Sequence, residues 1–206
     1  MTSQARVFIV DDDAAVRDAL AFQLEAAGYD VTALPGARDF LDICTADTPG
    51  CVILDVDMPG MDGPALQEEL ERRGLRLPII FLSGKGTIPV TVRTIKAGAL
   101  DFLTKPVQAR VLLDRVREAM KQSSRIRKQT EEYQSIVSRL ATLTEREREV
   151  MQLAVAGHTS KEIGQMLGIS YRTVEVYRAH VMQKTGASNV LELAQFAKAA
   201  AEFPQA

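Results

Sequence analysis

Short apolar runs alternate with amphipathic stretches along the first 120 residues of the chain. One amphipathic stretch, residues 14–28, places Val16, Leu20 and Leu24 on one helical face and ends at Gly28. The apolar runs are continuous, as in the strands of a parallel sheet that is covered on both faces. Five strands that alternate with helices predict an α/β domain with a doubly wound parallel sheet. The predicted strands are residues 6–10, 29–34, 51–55, 78–83 and 101–105, and the further predicted helices lie at 37–46, 65–74 and 88–98.

From residue 142 onward the pattern has the period of helices only. Two stretches begin with the sequence of a capping box, Thr144 with Glu147 and Thr159 with Glu162. Gly168 separates the second of these from another predicted helix. Two helices joined by a tight glycine turn describe a helix-turn-helix, whose second helix enters the major groove of DNA. A generic four-helix bundle is the alternative that this pattern leaves open.

Charge divides the chain in the same way. Residues 1–120 carry 13 basic and 18 acidic side chains, residues 121–140 carry 5 and 2, and residues 141–206 carry 7 and 7. An acidic front, a basic segment and a neutral tail predict two domains and a linker. We place the first domain at 1–121, the linker at 122–140 and the second domain at 141–206.

The composition is that of an ordinary globular protein, with 46% apolar and 25% charged residues. The apolar runs are too short to span a bilayer and the N-terminus lacks a signal-peptide pattern, so we expect a cytoplasmic protein. Cys44 and Cys51 lack metal or disulfide spacing and are predicted to be packing residues. His158 and His180 lie too far apart in sequence to suggest a metal site.

Residues 109–140 contain neither glycine nor proline, so they can form the last helix of the first domain and run on into a helical linker. Its apolar residues recur with a heptad spacing that predicts a weak helix-pairing seam, broken at its centre by Ser123 and Thr130. A solvated, flexible linker is the alternative. The apolar seam positions are Leu112, Val116, Ala119, Ile126, Tyr133, Val137 and Leu140.

Polar residues stand at the carboxyl ends of four predicted strands: Asp11 and Asp12, Asp55, Ser83 and Lys105. Ligands bind at these ends in open α/β sheets, so we expect the side chains to meet. Clustered carboxylates need a cation, and Mg²⁺ is the hard ion that suits them. One carboxylate can then attack a phosphoryl group, with Lys105 neutralising its charge and the Ser83 hydroxyl donating to its oxygen. For Asp55 alone, a turn-forming aspartate is the alternative.

The segments "IVDDD", "ILDVDMPGMDG", "FLSG" and "DFLTKP" resemble the receiver domain of bacterial two-component response regulators, over about residues 5–121. That resemblance implies a flavodoxin-like fold with Asp55 as the phospho-acceptor. It also implies that Mg²⁺ is held by Asp12, Asp55 and the backbone carbonyl of Asp57, and that Asp11 belongs to the same acidic pocket.

The resemblance further implies that Ser83 and Lys105 contact the phosphoryl group, that Phe102 is the switch aromatic, and that the Lys105–Pro106 bond is cis. Plain core packing is the alternative for Phe102. The "DVD" segment is also similar to the nucleophile motif of haloacid-dehalogenase-type phosphatases. In those enzymes the nucleophile strand comes first, whereas here the aspartate pair precedes Asp55.

The segments "LTEREREVMQLAVAG", "SKEIGQMLGIS" and "RTVEVYRAHVMQKTGA" resemble the LuxR-type DNA-binding domain, over about residues 141–200. The two domains in this order resemble FixJ-type regulators of the NarL/FixJ group. The recognition helix would begin near Tyr171, with Glu175, Val176 and Ala179 facing the groove floor. Many relatives carry Lys in place of Glu175 and Ala179, so their base contacts do not transfer. Further candidate DNA contacts are Lys161, Arg172, Thr173, Arg178, His180 and Lys184.

Together these features predict a phosphorylation-activated transcription regulator that is not an enzyme, beyond transferring and losing its own phosphoryl group. Expected partners are a sensor histidine kinase, operator DNA and a second copy of the chain upon phosphorylation. RNA polymerase is a further candidate partner, and no membrane is expected. The dimer face is expected at about residues 88–107. The alternative function is a receiver-type protein-interaction module without sequence-specific DNA binding.

Overall fold

The computed structural model describes residues 5–84 and 88–202 and divides into two compact units, Met1–Lys128 and Gln129–Ala206. The sequence pattern predicts a last helix over residues 188–203, of which Phe203 lies outside the described residues. Among those residues, no helix combines the length and apolar character needed to cross a membrane. The strands are β1 (Arg6–Val10), β2 (Asp30–Leu34), β3 (Gly50–Asp55), β4 (Ile79–Ser83) and β5 (Asp101–Thr104). The helices of the first unit are α1 (Ala14–Ala26), α2 (Ala37–Ile43), α3 (Gly63–Arg72) and α4 (Ile88–Lys96). After them come α5 (Ala109–Ala141), α6 (Glu145–Val155), α7 (Ser160–Leu167), α8 (Tyr171–Thr185) and α9 (Val190–Glu202).

The five strands form one parallel sheet in the order β2-β1-β3-β4-β5. This is the flavodoxin-like order, and the predicted fold is confirmed. The chain reverses its winding direction between β1 and β3, where Val10 lies beside Leu54. Because the next residues are Asp11 and Asp55, the register alone places two carboxylates at the switch point of the sheet.

One apolar cluster covers each face of the sheet. One includes Phe8 and Phe40, whose rings meet edge to face with centroids 5.3 Å apart. The other includes Leu24 of α1 and Val116 of α5. The continuous apolar strands are therefore explained by burial from both sides. Both cysteines are buried, as predicted, and burial raises the pKa of Cys44 to about 11 and that of Cys51 to about 12.

Helix α5 extends from Ala109 to Ala141 and includes the residues of the predicted helical linker. The proposed pairing seam is wrong at its first positions, because Leu112, Val116 and Ala119 pack against the sheet. Heptad spacing also describes one face of a helix that lies on a sheet, and the sequence pattern did not separate the two. Ser123, read as a break, is buried and accepts a 3.0 Å hydrogen bond from the Gly50 N–H.

Residues 145–202 form four helices with both predicted capping boxes present. Gly168 ends α7 in the left-handed conformation, with φ at 68°, as the predicted turn requires. Gly164 allows a close approach, because a Cβ there would lie 2.8 Å from the carbonyl oxygen of Ile169. Val174 and Val181 bury the inner face of α8. The helix-turn-helix geometry therefore depends on small residues at its corner.

Candidate functional site

Three carboxylates meet at the carboxyl edge of the sheet. Asp11 and Asp12 follow β1, Asp55 ends β3, and an oxygen atom from each lies within 4.8 Å of the others. Asp11 and Asp55 are buried, with exposures of 2% and 6%, whereas Asp12 is exposed. The predicted clustering is confirmed, and one side of the cluster opens to solvent.

Lys105 bridges the two buried carboxylates. Its Nζ donates to Asp11 Oδ2 at 2.6 Å and to Asp55 Oδ1 at 2.7 Å. Burial raises the pKa of Asp55, and the repulsion from Asp11 adds to this, although Lys105 acts in the opposite direction. Burial disfavours the charged form of Lys105, but hydrogen bonds to both carboxylates outweigh it and raise its pKa. One ammonium group therefore pairs with two carboxylates in this bridge.

The donor set fits a divalent cation. Three carboxylates face one ammonium group, which leaves an excess of negative charge when all are ionised. Mg²⁺ is typically held by a few carboxylates together with waters and a phosphate. Exposed Asp12 leaves the cluster accessible to such an ion from the solvent side.

The turn after β3 holds the Asp55 carboxylate from its backbone side. The Asp57 N–H donates to Asp55 Oδ2 at 3.1 Å, and the Gly63 N–H donates to the Val56 carbonyl at 3.0 Å. A Cβ at Gly63 would lie 2.2 Å from the Asp55 carbonyl oxygen, so this position requires glycine. Gly63 stands in the quoted "MDG" segment, but sequence reasoning gave it no role.

Arg17 is a second residue that sequence reasoning missed. Its Nη1 donates to the backbone carbonyl of Asp11 at 2.7 Å, while Asp11 Oδ1 accepts from the Asp13 N–H at 3.0 Å. These bonds orient the Asp11 backbone and side chain together. An arginine one turn into a surface helix carries no sequence signal for this contact.

Ser83 ends β4 and is buried, with an exposure of 1%. Its carbonyl accepts from the Lys105 N–H at 2.8 Å, which ties β4 to the segment that carries the lysine. The Lys105–Pro106 bond is cis, as predicted. Phe102 is half-buried and stacks on Phe81, with ring centroids 6.1 Å apart.

In the second unit, α8 has one buried and one exposed face. Glu175, Val176 and Ala179 are exposed, with Val176 at 52%, and Tyr171 at the helix start is also exposed. Val176 is thus an apolar side chain with about half of its surface open to solvent. The residues predicted to face DNA therefore share the solvent side of the second helix of a helix-turn-helix.

The further candidate DNA contacts differ in their exposure. Lys161 and Arg172 are exposed, whereas Arg178 is half-buried, with its Nη1 3.4 Å from Ser160 Oγ. Thr173 participates in capping α8, because its N–H donates to Ser170 Oγ at 3.1 Å. Lys161 and Arg172 are thus the candidates among these whose side chains are most open to solvent.

Lys184 and His180 face a buried partner that sequence reasoning missed. Lys184 Nζ donates to Glu147 Oε2 at 2.6 Å, and His180 Nδ1 lies 3.8 Å from Glu147 Oε1. Glu147 also accepts from the Thr144 N–H in the capping box. The Lys184 hydrogen bond is the first cause that lowers the pKa of Glu147, to about 2. Lys184 consequently stabilises the contact of α6 with α8.

Comparison with known proteins shows two families. The response regulator receiver domain matches residues 7–117, and the luxR family of bacterial regulatory proteins matches residues 141–197. The chain is a response regulator. It belongs with the NarL/FixJ regulators that join these two domains, and it is a transcription regulator controlled by phosphorylation.

Relatives and solved structures cover nearly the whole response regulator. It is 43% identical to the transcriptional regulatory protein TdiR of Thauera aromatica, over 92% of this chain and 84% of that protein. It is 40% identical to FixJ of Bradyrhizobium diazoefficiens, over 96% of each chain. The structure of the response regulator StyR matches with a TM-score of 0.82 and 37% identity, over 95% of this chain and 99% of that one.

Proposed function

We propose that Asp55 receives the phosphoryl group from a phosphohistidine of a sensor histidine kinase. The observation that carries this proposal is the Lys105 bridge to Asp55 and Asp11, at the switch point of the sheet. Asp55 Oδ attacks phosphorus, the P–N bond to the imidazole breaks, and the imidazole leaves with its electron pair and takes up a proton. The product is an acyl phosphate on Asp55.

The neighbouring groups prepare this carboxylate for the reaction. The Asp57 N–H holds one carboxylate oxygen and Lys105 holds the other, so the orientation of Asp55 is set before the donor arrives. After the transfer, the Lys105 ammonium group would donate to one negatively charged phosphoryl oxygen. The Ser83 hydroxyl would donate to another. Mg²⁺ held by Asp12, Asp55 and the Asp57 carbonyl, beside Asp11, would supply charge neutralisation between acceptor and donor.

The acceptor is tested with a radiolabelled small phosphodonor and Mg²⁺. Asp55→Asn should abolish labelling, because the amide is a poor nucleophile. Asp57→Asn is the matched control: it keeps the backbone N–H that binds Asp55, so it should still be labelled. Equal labelling of wild type and the Asp55 variant would show that another carboxylate is the acceptor.

For DNA reading, we propose that α8 is the recognition helix and that Glu175 and Val176 contact base edges. A carboxylate can accept from a cytosine amino group and a valine methyl can touch a thymine methyl. Glu175→Ala should reduce discrimination at one base pair, a contact worth about 1–3 kcal/mol. The test measures the affinities of wild type and Glu175→Ala for operator variants that differ at single base pairs. Glu145→Ala, which changes an exposed glutamate of α6, is the control. An equal change on every DNA sequence would exclude a specific role.

Domain bounds of 1–121, 122–140 and 141–206 are consistent with the family matches and are part of the proposal. A regulator that meets both a kinase and operator DNA works where the DNA is, so we place it in the cytoplasm, with RNA polymerase as a candidate further partner. The alternative, a docking module without sequence-specific DNA recognition, predicts equal binding of operator and unrelated DNA.

Phosphorylation is proposed to act through dimerisation at the α4–β5 face. Its support is the exposed apolar side chains along α4: Ile88 is 81%, Val92 45% and Ile95 41% exposed. The neutral DNA-binding segment binds phosphates weakly alone, and two copies on a two-fold site would roughly add their binding free energies, less the cost of association. Sedimentation should show a phosphorylated dimer that Val92→Glu prevents. Stronger DNA binding by a phosphorylated monomer would overturn this route.

A further inference from the structure

We propose that Arg139 is a positioning residue for DNA recognition, which holds the carboxyl end of α8 so that its exposed face has one orientation. Arg139 lies in the last turn of α5, two residues before the segment that matches the luxR family. The inference rests on the proposed role of α8 in reading DNA.

The first contact is with the end of α8. Arg139 Nη1 donates to the backbone carbonyl of Thr185 at 2.8 Å, and Thr185 is the last residue of the helix and completely buried. The last carbonyls of a helix lack partners within the helix and carry its negative dipole end. A guanidinium at this place supplies both a donor and a positive charge.

The same guanidinium contacts α9. It lies over the ring of Phe196, with Cζ 5.3 Å from the ring centroid. Its Nε donates to the Ser135 carbonyl of its own helix at 3.2 Å. A planar group that donates in its plane and stacks on its face can join three helices at once. Lysine has no such geometry, which makes substitution by lysine informative.

The turn after α8 leaves room for this group. Gly186 has φ at 72°, and a Cβ there would lie 2.8 Å from Arg139 Nη1. Glycine at this position therefore serves both the left-handed turn and the approach of the guanidinium. Gly186→Ala should consequently lower the melting temperature more in wild type than in an Arg139→Ala background.

Orientation matters because α8 is long. Its 15 residues span about 22 Å, so a tilt of about 10° moves one end by about 4 Å relative to the other. A base contact is lost with a much smaller displacement, whereas contacts to phosphates tolerate it better. Loss of the Arg139 contacts should therefore reduce specific binding more than non-specific binding.

The test uses full-length protein, with operator and unrelated DNA titrated over a range of salt concentrations. Arg139→Met keeps the length of the side chain but removes its donors. We expect operator affinity to fall about ten-fold, the equivalent of one charged hydrogen bond. Affinity for unrelated DNA and the salt dependence should stay unchanged, and Arg139→Lys should recover part of the loss. Arg148→Met, an exposed arginine of α6, is the control and should match wild type.

Three outcomes overturn the proposal. A salt slope that falls by about one unit means that Arg139 contacts a phosphate itself. An equal loss on operator and unrelated DNA, or no loss on either, means that it does not position α8. Glu175→Ala run in parallel separates this failure from failure of the proposed function, because it alters base preference whenever α8 reads DNA. Whichever of these binding results is found, amide hydrogen exchange in the last turn of α8 should be faster in Arg139→Met than in wild type.

Discussion

Replacing Lys105 by methionine tests whether charge or packing holds the phosphoryl-acceptor site together. The substitution keeps most of the side-chain volume and removes the ammonium group between Asp11 and Asp55. We expect the substitution to lower the free energy of unfolding of the receiver domain at neutral pH. In acid the free energy of unfolding should change little. The reason is that only the ionised carboxylates need the lysine.

The distances between the charged atoms of the site give the size of the expected loss of stability. At an effective dielectric constant of about 20, charges at the 2.7 Å between Lys105 Nζ and Asp55 Oδ1 attract by about 6 kcal/mol. Carboxylate oxygens no more than 4.8 Å apart repel by about 3 kcal/mol or more. Lysine regains hydration on unfolding, and Asp55 can take up a proton in the variant. The net loss at pH 7 should therefore be about 3 kcal/mol, the lower end for breaking a buried ion pair.

The sign of the pH dependence follows from Asp55. Its folded pKa is already raised by burial and rises further without Lys105. A carboxyl group with a raised folded pKa favours the native state below its unfolded pKa, and this contribution is lost as pH rises through the folded pKa. The stability difference between wild type and Lys105→Met should thus grow from acid to neutral pH.

The measurement is urea unfolding followed by circular dichroism at a series of pH values in the absence of Mg²⁺. Lys96→Met, an exposed lysine of α4, is the matched control and should change stability by less than about 0.5 kcal/mol. A loss for Lys105→Met that is equal at all pH values would refute the electrostatic argument and assign the lysine a packing role.

Three further predictions concern other parts of the chain. Ser123→Ala should cost about 1–3 kcal/mol, because it removes the acceptor from the buried N–H that begins β3, whereas Ser124→Ala on the same helix should cost little in urea unfolding. Asp12→Asn should weaken Mg²⁺ binding about ten-fold in calorimetric titration, with little loss of stability because its side chain is exposed. Glu147→Gln should remove stability that wild type has above pH 4.5 and loses as pH falls toward about 2, whereas exposed Glu145→Gln should leave acid unfolding unchanged.

The receiver site was predictable because its residues stand at strand ends. A parallel sheet brings its carboxyl ends to one edge, so Asp11, Asp55 and Lys105 had to converge once the strands were recognised. The helix caps were equally accessible, since Thr144 and Glu147 lie within one turn of each other. In both cases the position of each residue relative to its own strand or helix was sufficient.

The missed residues depend on tertiary contacts. In the sequence, Ser123 resembles a break in a heptad pattern. In the structure it accepts a hydrogen bond from the N–H of Gly50, the first residue of β3. Lys184 looked like a surface cation because its partner, Glu147, lies on another helix. The sequence pattern indicated no role for Arg139, because its contacts are with Thr185 of α8 and Phe196 of α9. Polar residues in a helical pattern have ambiguous roles until the helix or strand that packs against them is known.

The burial of the two cysteines makes this response regulator suited to site-specific spectroscopy. Thiols react as thiolates, and pKa values of about 11 and 12 leave Cys44 and Cys51 almost entirely protonated at neutral pH, in addition to their lack of exposure. A maleimide dye or nitroxide should therefore leave the native protein unmodified. An engineered cysteine, for example Ala179→Cys on the exposed face of α8, should then be labelled alone, without first removing the natural thiols.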